Sequence, residues 1–184
     1  SAMGVSFVHG SNDGQKGIGL VMLVLICMAP AYFALDMNSR SYELDRTQDA
    51  NQRIMELYQR NHELVSQVVD FKVPAQAQEA LMTHCSADAT LQNMATLDAR
   101  LGAVRTYEEM DLTNRREVRR LLLCLDDTAR KVSKLPLPAK ELTDLAKWRK
   151  DLTATAEYAP TWVIVSIALA LGCGTMVGWR RIVY

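Results

Sequence analysis

No basic excess is present. The 184 residues carry 21 Lys and Arg against 21 Asp and Glu, so no cationic face exists to hold nucleic acid. Strand-like alternation of apolar and polar residues is missing too, which argues against a sheet-built core. There is no Ser-His-Asp order, no paired-carboxylate cleft, no Walker-type loop and no dinucleotide glycine pattern, so the chain offers nothing from which an enzyme site could be assembled. Charge itself is absent from two stretches, Gly17 to Leu35 and Tyr158 to Trp179, of 19 and 22 residues. Outside residues 36–157 the formal charges are only Asp13, Lys16, Arg180 and Arg181, which leaves 18 basic and 20 acidic groups in the middle. An ordinary soluble globule does not distribute its charge in this way.

Each uncharged stretch matches the ~20 residues that cross a bilayer as a helix. A helix is the required form, because two isolated segments cannot close a barrel and lipid offers no partner for a bare amide. Tyr158 and Trp162 near the start of the second stretch, with Trp179 and Tyr184 near its end, suit the two interfaces. Arg180 and Arg181 place the far end in the cytoplasm, so residues 36–157 are expected outside it. The first stretch lacks the basic region that would precede it in a cleaved signal peptide. Ala170, Gly174 and Gly178 recur every four residues and predict a smooth face for a neighbouring helix.

Upstream of the first stretch, residues 1–9 are again without acidic residues, Lys or Arg. A straight helix over residues 1–35 would be about 52 Å long against a hydrocarbon thickness of ~30 Å. Gly10, Gly14, Gly17 and Gly19, with Asn12 and Asp13, predict a break: a short segment to His9, an unwound turn at 10–13, and a helix starting near Gly14. Bare amides at such a start form an anion site, Lys16 adds a cation, and the oxygens of Asn12 and Asp13 suit a proton or cation. A second reading stays open, in which Asp13 and Lys16, three residues apart, simply neutralise each other at the membrane interface.

The run Phe7-Val-His-Gly-Ser-Asn-Asp-Gly-Gln-Lys-Gly-Ile-Gly-Leu20 resembles a signature of the Pit family of low-affinity inorganic phosphate transporters, in particular their bacterial proton-coupled branch. Glu157-Tyr-Ala-Pro-Thr-Trp162 and Gly174-Thr-Met-Val-Gly-Trp-Arg-Arg181 are similar to the next span of the same repeat. The resemblance implies a secondary transporter of two inverted repeats in the bacterial inner membrane. Phosphate would be the substrate, protons the coupling ion, and a divalent metal a co-substrate in some members; no resident cofactor is implied. Ser11, Asn12, Asp13, Gly14, Gln15 and Lys16 become the substrate- and ion-binding residues. Gly14-Gln-Lys16 departs from the commoner Val-Ala-Asn, which sets sodium coupling through this motif in doubt. The chain is then a fragment whose partners are phosphate, lipid and the transporter's remaining helices, with homo-oligomer formation left open.

Residues 36–157 read as a helical bundle. Apolar stripes at three-and-four spacing run over Ile54 to Val68, Leu91 to Leu101 (interrupted by Asp98), Val118 to Val132, and Leu142 to Leu152. Pro74, Gly102 and Pro138 punctuate them, Pro138 in the first turn of the fourth helix. In an oxidising compartment Cys85 and Cys124 can pair, closing a 39-residue separation for about 3 to 4 kcal/mol. His84 beside Cys85 lacks the second ligand pair that zinc needs, and no metal site is expected. The run Arg115-Arg-Glu-Val-Arg-Arg120 reads as an exposed helical face. The fold class is thus an all-α membrane-protein fragment: residues 1–35 with a broken membrane helix, 36–157 an extracytoplasmic bundle, and 158–184 a second membrane helix. Span, outer bundle and span is also the layout of a chemoreceptor-type input module, the rival reading.

Overall fold

The structure, a computed structural model, describes residues 2–72 and 85–183, apart from the side chains of residues 2–9, 11, 30–31 and 177–183. Pro74 and His84 therefore lie outside the described residues. Among those described no strand occurs, and the chain divides into two compact units, residues 1–33 with 158–184 and residues 34–157.

The first unit pairs helices α1 (Ala2–Met28) and α8 (Thr161–Val183), with a short α2 (Pro30–Phe33). The expected break at residues 10–13 is not there: α1 runs unbroken from Ala2 to Met28. Glycine weakens a helix by only about 1 kcal/mol per residue and blocks nothing, whereas proline removes a donor and disfavours the helical conformation in the residue before it. The interruption falls at Ala29, just before Pro30, and Pro30 opens α2 at the position where a missing N–H costs least. The phenol of Tyr158 donates to the Tyr32 carbonyl at 3.1 Å and ties the two ends of this unit. Among the described residues no helix is long and apolar enough to cross a membrane.

The second unit is a four-helix bundle of α3 (Ser41–Arg60), α5 (Thr90–Gly102), α6 (Leu112–Val132) and α7 (Ala139–Thr153). Each packs on its neighbours in the cycle α3–α5–α6–α7–α3. Gln52 meets Asp98 while Gln48 lies beside Gly102, and Arg46 meets Asp151 while Asn61 meets Glu141, so α3 runs antiparallel to both α5 and α7; Arg100 with Glu117 and Arg149 with Asp126 join the remaining neighbours across short connections. This is an up-and-down arrangement, with short connections from α5 to α6 and from α6 to α7. The four predicted stripes are its core: Ile54, Leu57, Leu97, Leu101, Leu121, Leu122, Leu145 and Leu152 are all buried. Each such side chain contributes on the order of 2 kcal/mol. The first stripe belongs to two helices, since α3 ends at Arg60 and α4 (His62–Val65) follows Asn61. Pro138 sits at the N-cap of α7, one residue earlier than expected.

Asp98, which breaks the second stripe, bonds Gln52 at 2.9 Å across the α3–α5 seam. Glu43 accepts from the Arg40 amide at 2.9 Å at the start of α3, and Asp111 accepts from the Asn114 amide at 2.7 Å at the start of α6, satisfying donors that a helix start leaves orphaned. A disulfide joins Cys85 to Cys124 with Cα atoms 5.1 Å apart, anchoring the segment before α5 to α6.

Two phenols sit deep in this core. Burial pushes Tyr58 above the usual tyrosine range, and it pushes Tyr107 in the same direction against the opposing effect of its 2.9 Å hydrogen bond with Thr155. Above pH 10 the unfolded chain loses these protons and the fold does not. The stability that both contribute is therefore complete below pH 10 and declines as pH rises past it. Thermal unfolding followed between pH 9 and 11 should show this decline in the wild type and a shallower one in Tyr58→Phe.

Candidate functional site

Residues 10–19 of α1 sort onto two faces by the helical period of about 100° per residue. Gly14 and Gly17 face α8: a Cβ on Gly14 would lie 3.6 Å from Leu171 Cδ1, and one on Gly17 would lie 3.3 Å from Ile167 Cγ2. Gly17 is the tighter position, because a Cβ there would push Ile167 back by a few tenths of an ångström. The small-residue face is thus on α1. The stripe expected on α8 is not the contact, for nothing lies within 4 Å of a Cβ placed on Gly174; the side chain at position 178 lies outside the described residues.

Asn12, Asp13, Gln15 and Lys16 are all exposed. Asn12, Gln15 and Lys16 lie on the side of α1 away from its glycine seam, and Asp13 lies on its flank. The Lys16 ammonium stands 3.6 Å from the Asp13 carboxylate, with the two side chains 71% and 50% exposed. An i,i+3 ion pair this open to solvent adds about 0.3 kcal/mol to a helix, so its contribution to the fold is slight. The side chain of Ser11 lies outside the described residues. An unwound helix start, with amides free to meet an anion, is not formed: in a continuous α-helix each of these N–H groups is committed to the carbonyl four residues earlier. What the structure presents is a row of side chains, with two amides, one carboxylate and one ammonium within about a turn and a half.

In the bundle, the arginine run on α6 is not one exposed face. Arg115 turns inward, its Nε donating to the Tyr107 carbonyl at 3.0 Å and its Nη2 to the Glu108 carbonyl at 2.9 Å. Arg119 donates from Nη1 to the Ala34 carbonyl at 2.8 Å and, from the same nitrogen, to the Ala156 carbonyl. Arg116 and Arg120 stay exposed. The signal was the period: Arg115 and Arg119 share a face with Leu122 and Asp126, which the core claims.

The profile of the phosphate transporter family matches residues 1–184. The chain is 44% identical over 189 residues to the low-affinity inorganic phosphate transporter PitB of Escherichia coli (strain K12), a match covering 99% of this chain and 38% of the relative. It is equally similar to PitA of the same strain, with the same coverage. The low-affinity inorganic phosphate transporter of Buchnera aphidicola subsp. Acyrthosiphon pisum (strain APS) is 33% identical over 184 residues, covering 100% of this chain and 37% of the relative. No solved structure matches. The chain therefore spans about 38% of the length of these relatives. The family is one of transporters, not of enzymes, and the match over the full chain sets the sensor reading aside.

The packing of α1 on α8 yields a paired test. Gly17→Leu should weaken the helix pair by about 1 to 3 kcal/mol, since the new side chain meets Ile167. Gly174→Leu should leave it unchanged. Thermal unfolding of the detergent-solubilised protein distinguishes them, and equal losses in both would contradict the seam described.

Proposed function

The chain belongs to the phosphate transporter family, and on that premise we propose that it forms part of a secondary transporter carrying inorganic phosphate across a membrane with protons. The observation that carries this reading is the exposed polar row of Asn12, Asp13, Gln15 and Lys16 on a helix whose other face is packed. Such a row adds little to the fold, and ionisable groups beside an apolar span are costly unless they serve a function.

The chemistry fits an anion taken up with a proton. Lys16 supplies the charge for phosphate, and the side-chain amides of Asn12 and Gln15 supply neutral donors. Phosphate arriving at Lys16 competes with the Asp13 carboxylate for one ammonium, and a proton on either anion relieves their repulsion. Substrate and proton are in this way bound together. A divalent metal travelling with the phosphate would answer the same charge problem, with the Asp13 carboxylate as its oxygen ligand. Ser11 and Gly14 complete the motif, Gly14 by letting the helix seat against Leu171.

Helices α1 and α8 are the proposed membrane-spanning pair in a multi-pass inner-membrane protein. Supporting this are their uncharged stretches and the exposed apolar side chains Leu20, Leu23, Met28, Leu169 and Met176, which suit lipid or further helices of the same transporter. The bundle of residues 34–157 would lie on the oxidising, extracytoplasmic side, in keeping with its disulfide and with Arg180 and Arg181 at the opposite end of α8.

In the full-length transporter, Asp13→Asn and Lys16→Ala should each reduce phosphate uptake at least tenfold, roughly the loss of one charge-assisted contact, while membrane insertion and thermal stability stay at wild-type values. Wild-type uptake in both variants would refute the site. Impermeant thiol reagents applied to intact cells should label Cys85 and Cys124 only after a reductant is added; labelling without one would contradict the disulfide, and no labelling even after reduction would contradict the proposed orientation.

A further inference from the structure

The bundle's first and last residues are adjacent. The Asp36 amide donates to the Thr155 carbonyl at 2.8 Å, so the chain returns to within one hydrogen bond of where it departed. The same junction is braced from inside by Tyr107, whose phenol bonds the Thr155 hydroxyl, and by Arg119 on the second turn of α6. Arg119 differs from the other pairings in the bundle. Pairs such as Arg46–Asp151 and Arg149–Asp126 join helix to helix, whereas one nitrogen of Arg119 holds the carbonyl of Ala34 on the departing chain and that of Ala156 on the returning chain. Both carbonyl-bearing residues are buried, Ala34 1% and Ala156 2% exposed. The Arg119 guanidinium is thus directed at two backbone dipoles.

From this geometry we infer that Arg119 is a positioning residue that clasps the two chains at the base of the bundle, and that transport depends on the clasp. The inference rests on the transport reading above. The two crossing points, at Ala34 and Ala156, are the ends of the bundle, and a link made there couples them directly rather than through the helical core between them. With Ala34 and Ala156 on a single nitrogen, a displacement of one crossing point is carried to the other. The bundle then acts as a rigid link between them, a role that uses its helical core without requiring it to bind anything.

The requirement for these two contacts is one long cationic donor, because a single nitrogen serves both carbonyls. Lysine can meet it and methionine cannot. Glutamine stays polar but is two bonds too short, which makes it the second variant should Arg119→Met fail to fold.

The test uses the full-length transporter, with hydrogen exchange read by mass spectrometry alongside phosphate uptake. In Arg119→Met and Arg119→Gln, exchange in residues 34–39 and 153–157 should quicken about tenfold, as expected for losing a hydrogen bond to a charged group. Exchange in residues 50–58 and 121–129 should remain slow, the Cys85–Cys124 bridge intact, and uptake should fall about fivefold or more. Arg119→Lys should keep both protection and uptake near wild type. General destabilisation would instead quicken exchange throughout the bundle, and that result overturns the inference. So does faster exchange at the junction with unchanged uptake, and so does unchanged exchange. The exchange pattern requires no substrate: a wild-type protein that takes up no phosphate would refute the transport reading, while the exchange arm still judges the clasp.

Discussion

A chain that interrupts one helical pair to build a second compact unit must come back to the place it left. Here that closure is made by the Asp36 amide on the Thr155 carbonyl and by Arg119 on Ala34 and Ala156. The up-and-down order of α3, α5, α6 and α7 agrees with it, because an even number of antiparallel helices returns the chain to the end at which it started. Adjacent ends are also what allow an insertion to be accommodated between two elements without disturbing either. The core of Leu57, Leu97, Leu122 and Leu145 supplies the stability, and the junction closes the unit.

The distribution of polar groups divides the two units in kind. In the bundle, charge pairs mark the seams: Asp126 is held by Arg149 across α6 and α7, Asp151 by Arg46 across α3 and α7, and Glu117 by Arg100 across α5 and α6. On α1 the charges Asp13 and Lys16 fix no neighbour. They stand on a helix whose approach to α8 is made by Gly14 and Gly17 instead. Under the proposed transport reading, this separation leaves the polar face available to an anion while the glycines hold the helix in place.

Much of this was legible in the sequence. The three-and-four stripes at Ile54, Leu97, Leu122 and Leu145 marked the bundle helices, because burial of a helix face leaves a period that composition alone does not. The segregation of charge at residues 36 and 157 marked the units to within two residues. Three features were hidden for physical reasons. The glycines at 10, 14, 17 and 19 suggest a broken helix, but glycine only weakens a helix, and the actual interruption is set by Pro30. The spacing of Ala170, Gly174 and Gly178 suggests a seam, but which small residues meet a neighbour depends on the neighbour's own side chains, here Ile167 and Leu171. Arg119 looked like one member of a solvated run because a sequence does not reveal that two distant carbonyls converge on it.

The central claim is that the polar face of α1 receives phosphate. Its most direct test is substrate protection of a single thiol placed there. Asn12→Cys in a full-length transporter lacking Cys27 and Cys173 should react with a small thiol reagent, and phosphate should slow that reaction in a saturable way while sulfate does not. A rate of modification unaffected by phosphate at any concentration would contradict the account.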